Sequence, residues 1–212
     1  MYVVPAGWRN TIQINSISVS CKAVSHRLKN ACINSEQNGY GTDLRDILQA
    51  IEEQTLIPAG QLKAHFWDMF IADALLGNFD RHNGNWGILV DEEKQTAEIA
   101  PVYDCGSCLY PQLGAHEMQA VLDDEREIKR RIYEYPTSAI MNDGAKISYP
   151  RFIASLQNKD CNQALERISA RINMEQIGAL IRQTPGLLPV QQDFYEVMIR
   201  ERKEQIIDCG MA

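Results

Sequence analysis

The sequence predicts an α+β chain that is mainly helical, with one short β-hairpin near its middle. Three observations carry this expectation. Gln61 to Leu76 is apolar nearly all round, as a helix at the centre of a domain must be. Trp86 to Val90 and Thr96 to Ala100 are short apolar segments flanking the polar turn Asp91 to Gln95, which reads as a hairpin. From residue 115 onward the apolar positions recur mostly at helical spacing.

In chain order, Thr11 to Ser20 alternates through Ile12, Ile14, Ile17 and Val19 and predicts a short strand, although the alternation breaks at Ser16. Residues 34–42 form a polar, glycine-bearing loop. Asp43 can cap a helix over 44–54, whose Leu44, Ile47, Leu48 and Ile51 share one face. Ile57-Pro58-Ala59-Gly60 breaks it. In the next helix, 61–76, Leu62, Phe66, Met69, Phe70, Asp73 and Leu76 share a face, and Gly77 ends it as a left-handed cap. Beyond the hairpin, helices are expected over 117–132, 149–158, 161–171, 174–183 and 189–208.

With 212 residues, ordinary apolar and charged fractions and no low-complexity tract, the chain can fill one good-sized core. A net charge of -7 argues against nucleic acid as a direct partner and against a polybasic membrane patch. No apolar run approaches the roughly 20 residues of a membrane span, and the N-terminus lacks the pattern of a signal peptide. Six scattered cysteines without an export signal predict reduced thiols in a cytoplasmic protein.

The chemistry concentrates in Gly77-Asn78-Phe79-Asp80-Arg81-His82-Asn83-Gly84-Asn85, directly after the most apolar helix. A second acidic point, Tyr103-Asp104-Cys105-Gly106, follows the hairpin. Phosphoryl transfer needs a carboxylate to accept a proton from the attacking hydroxyl, oxygen ligands for magnesium, and a hold on the nucleotide phosphates. Asp80 suits the first role. The carbonyl oxygen of Asn85 and the carboxylate of Asp104 suit the second, because magnesium prefers one or two carboxylates together with phosphate oxygens. In protein kinases the base aspartate and the metal-binding asparagine stand five apart. Asp80 and Asn85 do the same, and the hairpin then leads to an Asp-x-Gly at Asp104.

Asp80-Arg81-His82 with Asn85, followed by Ala100-Pro101-Val102-Tyr103-Asp104, resembles the HipA-like serine/threonine kinases, in particular compact bacterial forms. The Asp-Arg-His-x-x-Asn signature of phosphoinositide 3- and 4-kinases is similar. The resemblance implies a protein-kinase-like C-lobe over 43–212, with Asp80 as catalytic base and Asn85 and Asp104 as magnesium and nucleotide ligands. It implies loop-organising or phosphate-contacting roles for Arg81 and His82, and a structural hydrogen bond for Asn78. ATP and Mg2+ are the implied cofactors, and a protein Ser/Thr hydroxyl the implied acceptor. The N-lobe is largely missing by this reading. Residues 1–42 are too few for one and stand as a remnant of the hinge junction, and Asn38-Gly39-Tyr40-Gly41-Thr42 only loosely imitates a phosphate-covering loop. A separately supplied N-lobe or regulatory partner is therefore expected.

Other readings stand beside this one. A lobe without its phosphate-covering half can serve as a non-catalytic pseudokinase or interaction module. A lipid kinase is a third reading, disfavoured by the lack of the basic cluster that phosphoinositide headgroups attract. Cys105-Gly106-Ser107-Cys108 has the spacing of a dithiol redox site, but Leu109-Tyr110-Pro111 does not open a helix as in a thioredoxin-like site, and no second ligand pair is spaced for zinc.

Overall fold

The structure, a computed structural model, describes residues 43–91 and 96–211. The strand expected between Thr11 and Ser20 and the loop over 34–42 lie outside the described residues.

Helix α1 (Leu44–Glu53) starts where the Asp43 carboxylate accepts the Arg45 N–H at 2.9 Å, which satisfies one of the free donors of a first turn. It buries Leu44, Ile47, Ala50 and Ile51. Helix α2 (Ala59–Leu76) begins two residues before the expected start, because the Pro58 carbonyl accepts from the Gln61 and Leu62 N–H groups. It packs against α1 and the C-terminal helices and buries Phe66, Trp67, Met69, Phe70, Ile71 and Ala74. Gly77 ends it at φ 65° and ψ 40°, the left-handed cap that the sequence predicts.

A 3-10 turn (Asn83–Asn85) leads into strand β1 (Ile88–Asp91), which pairs antiparallel with β2 (Thr96–Ile99) in the register Ile88 to Ile99. Trp86 anchors the near end by packing on Phe66, with ring centroids 5.4 Å apart.

The helix expected over 117–132 is two helices, α3 (Ala115–Leu122) and α4 (Glu125–Tyr133). The chain turns at Asp123-Asp124, where the Asp124 carboxylate caps α4 through the Arg126 N–H. A second hairpin, absent from the sequence-based expectation, follows: β3 (Met141–Asn142) pairs with β4 (Ala145–Lys146) across Asp143-Gly144. Both turn residues have positive φ, 50° and 79°, which matches the twist of a two-residue hairpin turn. Helices α5 (Tyr149–Ala154), α6 (Lys159–Ser169), α7 (Met174–Gln183) and α8 (Pro189–Arg202) complete the lobe. The expected last helix runs on past α8 as a π-helical turn, Lys203–Asp208.

Arg202, fully buried at the end of α8, joins these elements. Its Nε donates to the Ala74 carbonyl at 2.8 Å and its Nη1 to the Arg131 carbonyl at 2.7 Å. Those carbonyls lie in the last turns of α2 and α4, where helix geometry leaves acceptors unpaired and the dipole favours a cation.

Candidate functional site

The site is assembled around Asp73, a carboxylate in the last turn of the apolar helix α2. Its backbone carbonyl accepts from the N–H groups of Gly77 and Asn78. Its carboxylate accepts from Asn78 Nδ2 at 2.8 Å and from Arg81 through Nε at 2.9 Å and Nη2 at 3.1 Å. The side chains of Arg81 and Asp73 are 1% and 4% exposed, so water cannot replace these bonds. Burial pushes the Asp73 carboxyl up from its usual value, against the opposing pull of Arg81 and Asn78. Burial also opposes the Arg81 charge, but the hydrogen bonds and charge of Asp73 outweigh it and hold the guanidinium above its ordinary range. The sequence places Asp73 on a helix face and assigns it no role. The signal that could have found it is a carboxylate on the buried face of an apolar helix, eight residues before an arginine.

The remaining donors of Arg81 fasten two loops together. Nη1 donates to the carbonyl of Asn85 at 2.7 Å and to the carbonyl of Tyr103 at 2.5 Å, and Nη2 also reaches Cys105 Sγ at 3.6 Å. The Tyr103 hydroxyl returns the link by donating to the Gly84 carbonyl at 2.8 Å. Asn85, which follows Asp80 by five residues, and Asp104, which follows Tyr103, are thus held at one end of the hairpin. The guanidinium is spent inside the protein and presents no donor to a phosphate.

Within the first loop, Asn78 is fully buried. Its Oδ1 accepts the Asp80 N–H at 3.1 Å, and its carbonyl accepts from the Tyr149 hydroxyl at 2.7 Å. His82 Nδ1 accepts the Gly84 N–H at 3.0 Å and caps the 3-10 turn. Asn85 Nδ2 donates to the Asp80 carbonyl at 2.8 Å. The Asn85 Oδ1 and the carboxylates of Asp80 and Asp104 have no hydrogen bond among the described residues, and Asp104 is exposed. These three residues therefore bring unspent oxygens to a framework in which the Asp73, Asn78, Arg81 and Tyr103 side chains are committed to internal bonds.

The second loop is strained. Asp104, Leu109 and Tyr110 have φ of 52°, 56° and 57°, a region that costs a non-glycine residue roughly 1–2 kcal/mol. The Leu109 N–H offsets part of this by bonding the Leu76 carbonyl at 2.9 Å, an acceptor left over from the end of α2. The Tyr110 hydroxyl donates to the Arg131 carbonyl at 2.5 Å. Burial pushes the neighbouring Cys108 thiol up to about 12. Asn85 and Asp104 offer the hard oxygen donors that magnesium takes. Among the described residues no group of three or more His, Cys, Asp or Glu is placed to hold a metal ion.

A helical lobe with one loop before a hairpin and an Asp-x-Gly loop after it, joined through a buried guanidinium, is a protein-kinase-like C-lobe. Comparison with known proteins gives the same class. The model of the HipA-like C-terminal domain family matches residues 24–177, and the chain belongs to that family. It is 45% identical over 206 residues to the serine/threonine-protein kinase CtkA of Helicobacter pylori strain J99, covering 92% of this chain and 63% of the relative. It is similar to the crystal structure of the H. pylori proinflammatory kinase CtkA with a TM-score of 0.80 and 46% identity. That match covers 86% of this chain and 66% of the other. The chain thus spans just under two thirds of the length of the relatives it matches. Among the described residues no helix is long and apolar enough to cross a membrane.

Proposed function

We propose that this lobe carries the proton-accepting and metal-side groups of a phosphotransferase that moves the terminal phosphoryl group of ATP to a protein Ser or Thr hydroxyl. The observation that carries the proposal is the position of Arg81 Nη1, which bonds the carbonyl of Asn85 and the carbonyl preceding Asp104 at once. A single buried group therefore sets the spacing of two oxygen donors that come from loops 19 residues apart.

Asp80 accepts the proton of the acceptor hydroxyl. Its backbone is pinned on both sides, with its N–H on Asn78 Oδ1 and its carbonyl on Asn85 Nδ2, while its carboxylate stays free. Asn85 Oδ1 and the Asp104 carboxylate would hold Mg2+, whose chemistry when bound would be to offset charge on the phosphate oxygens. Arg81 and Asp73 organise the loops, and His82 sets the turn between Asp80 and Asn85. A phosphate-covering half, supplied from outside residues 43–211, is needed as well. The name of the CtkA relative and the net charge of -7 support a protein acceptor over a phosphoinositide.

Calorimetric titration of the chain with ATP, in magnesium and in EDTA, tests the reading. Binding is expected in magnesium alone, together with label transfer from ATP to a protein acceptor once the covering half is supplied. Absence of binding at millimolar ATP in both conditions would overturn it and favour an interaction module.

A further inference from the structure

Cys105 and Cys108 open the loop that leaves Asp104, and the proposed phosphoryl transfer uses neither sulfur as a reacting group. The Cys108 N–H donates to the Cys105 carbonyl at 3.1 Å, closing a turn of four residues. Such a turn holds its first and last Cα atoms within about 7 Å, the separation that a disulfide spans. Both residues are half-buried, so a small oxidant has access to them, whereas Cys161 is sealed in the core. Two sulfurs make only half of a tetrahedral zinc set, and the described residues nearby add no third ligand.

We infer that Cys105 and Cys108 form a reversible dithiol–disulfide site, open to peroxides and low-molecular-weight disulfides, that sets the geometry of the Asp104 loop. Hydrogen peroxide oxidises one thiol to a sulfenic acid and releases water. The second sulfur displaces the hydroxyl group, the S–S bond forms, and a second water leaves. The two thiols together lose two electrons and two protons, and peroxide accepts both.

The consequence follows from the contacts of Cys105. Its sulfur accepts from Arg81 Nη2, the guanidinium that joins both loops. It is also bonded in sequence to Asp104, which is held at a left-handed φ of 52°. Closing the ring turns the Cys105 sulfur toward Cys108 and constrains the backbone that aims the Asp104 carboxylate. This effect on nucleotide rests on the function proposed above, whereas the dithiol itself does not.

Cleavage after Lys94 and Arg126 isolates residues 95–126, in which Cys105 and Cys108 are the only cysteines. After treatment with hydrogen peroxide or oxidised glutathione and then iodoacetamide, this fragment is expected to be lighter than its thiol form by two hydrogens and to carry no alkyl group. Dithiothreitol should restore both thiols, and Cys108→Ser should abolish the mass change. Magnesium-dependent ATP affinity is expected to fall about tenfold or more on oxidation and to return on reduction. A fragment still alkylated at both cysteines, under conditions that oxidise the exposed Cys209, would overturn the site. A disulfide that leaves the affinity unchanged would overturn its control of the Asp104 loop. Failure of the reduced protein to bind ATP would instead count against the proposed function, and the fragment mass would still decide the dithiol.

Discussion

The carboxylate of Asp73 and the guanidinium of Arg81, eight residues apart and both sealed from water, form a two-pronged ion pair on which both loops of the site rest. Removing one partner leaves the other as an uncompensated buried charge. Asp73→Ala is therefore expected to destabilise the fold by about 3–5 kcal/mol, read from the shift in urea midpoint. Asp73→Asn, which keeps a hydrogen-bond acceptor, should cost less. A loss below about 1 kcal/mol in the alanine variant would place the pair among weak ion pairs and remove it as the anchor of the loops.

Asp80 and Asp104 should fail in different ways if their proposed roles hold. Asp80→Ala is expected to abolish phosphoryl transfer and leave magnesium-dependent ATP binding largely intact. Asp104→Asn should weaken that binding itself. Neither should move the urea midpoint much, since neither carboxylate has a hydrogen bond among the described residues. Normal transfer by the Asp80 variant would show the base to be misassigned.

Gly77 and Gly144 both stand at positive φ, but their surroundings differ. A Cβ on Gly77 would meet Pro136 Cγ at 3.3 Å and Arg202 Cζ at 3.5 Å, whereas one on Gly144 meets nothing within 4 Å. Gly144→Ala should cost the backbone term alone, about 1 kcal/mol. Gly77→Ala should cost more, because the buried Arg202 and Pro136 must also give way. Equal losses in thermal unfolding would mean that the neighbours of Gly77 yield freely.

Burial raises the Tyr110 phenol from 10.0 to about 12, with Arg202 pulling the other way. The unfolded phenol ionises first, so the stability this group contributes is complete below about pH 10 and is lost as pH climbs toward 12. Urea midpoints taken across that window should fall with rising pH, and the slope should be shallower in Tyr110→Phe. An unchanged slope would show that other groups dominate alkaline unfolding.

Local elements were legible because short-range physics sets them. Asp43 caps α1 as expected, Gly77 ends α2 in the left-handed region, and the hairpin at 88–99 forms from the two short apolar segments on either side of a polar turn. The break at Asp123-Asp124 was hidden because apolar periodicity continues across it, although Asp124 is a good cap residue. The hairpin at Asp143-Gly144 was hidden because its strands are two residues each, too short to alternate, although the turn itself carries a strong signal.

By itself, the sequence determined which oxygens are available for chemistry and how far apart they stand along the chain: Asp80, Asn85 and Asp104, on either side of a hairpin. Only the tertiary structure decided what holds them together. Arg81 reaches Tyr103 across 22 residues, Tyr149 reaches Asn78 across 71, and Arg202 reaches Ala74 across 128. The spacing of caps, turns and apolar faces is set by backbone geometry within a few residues. The partner of a buried polar group is chosen only once packing has excluded water, because each such group must then find a bond within the protein.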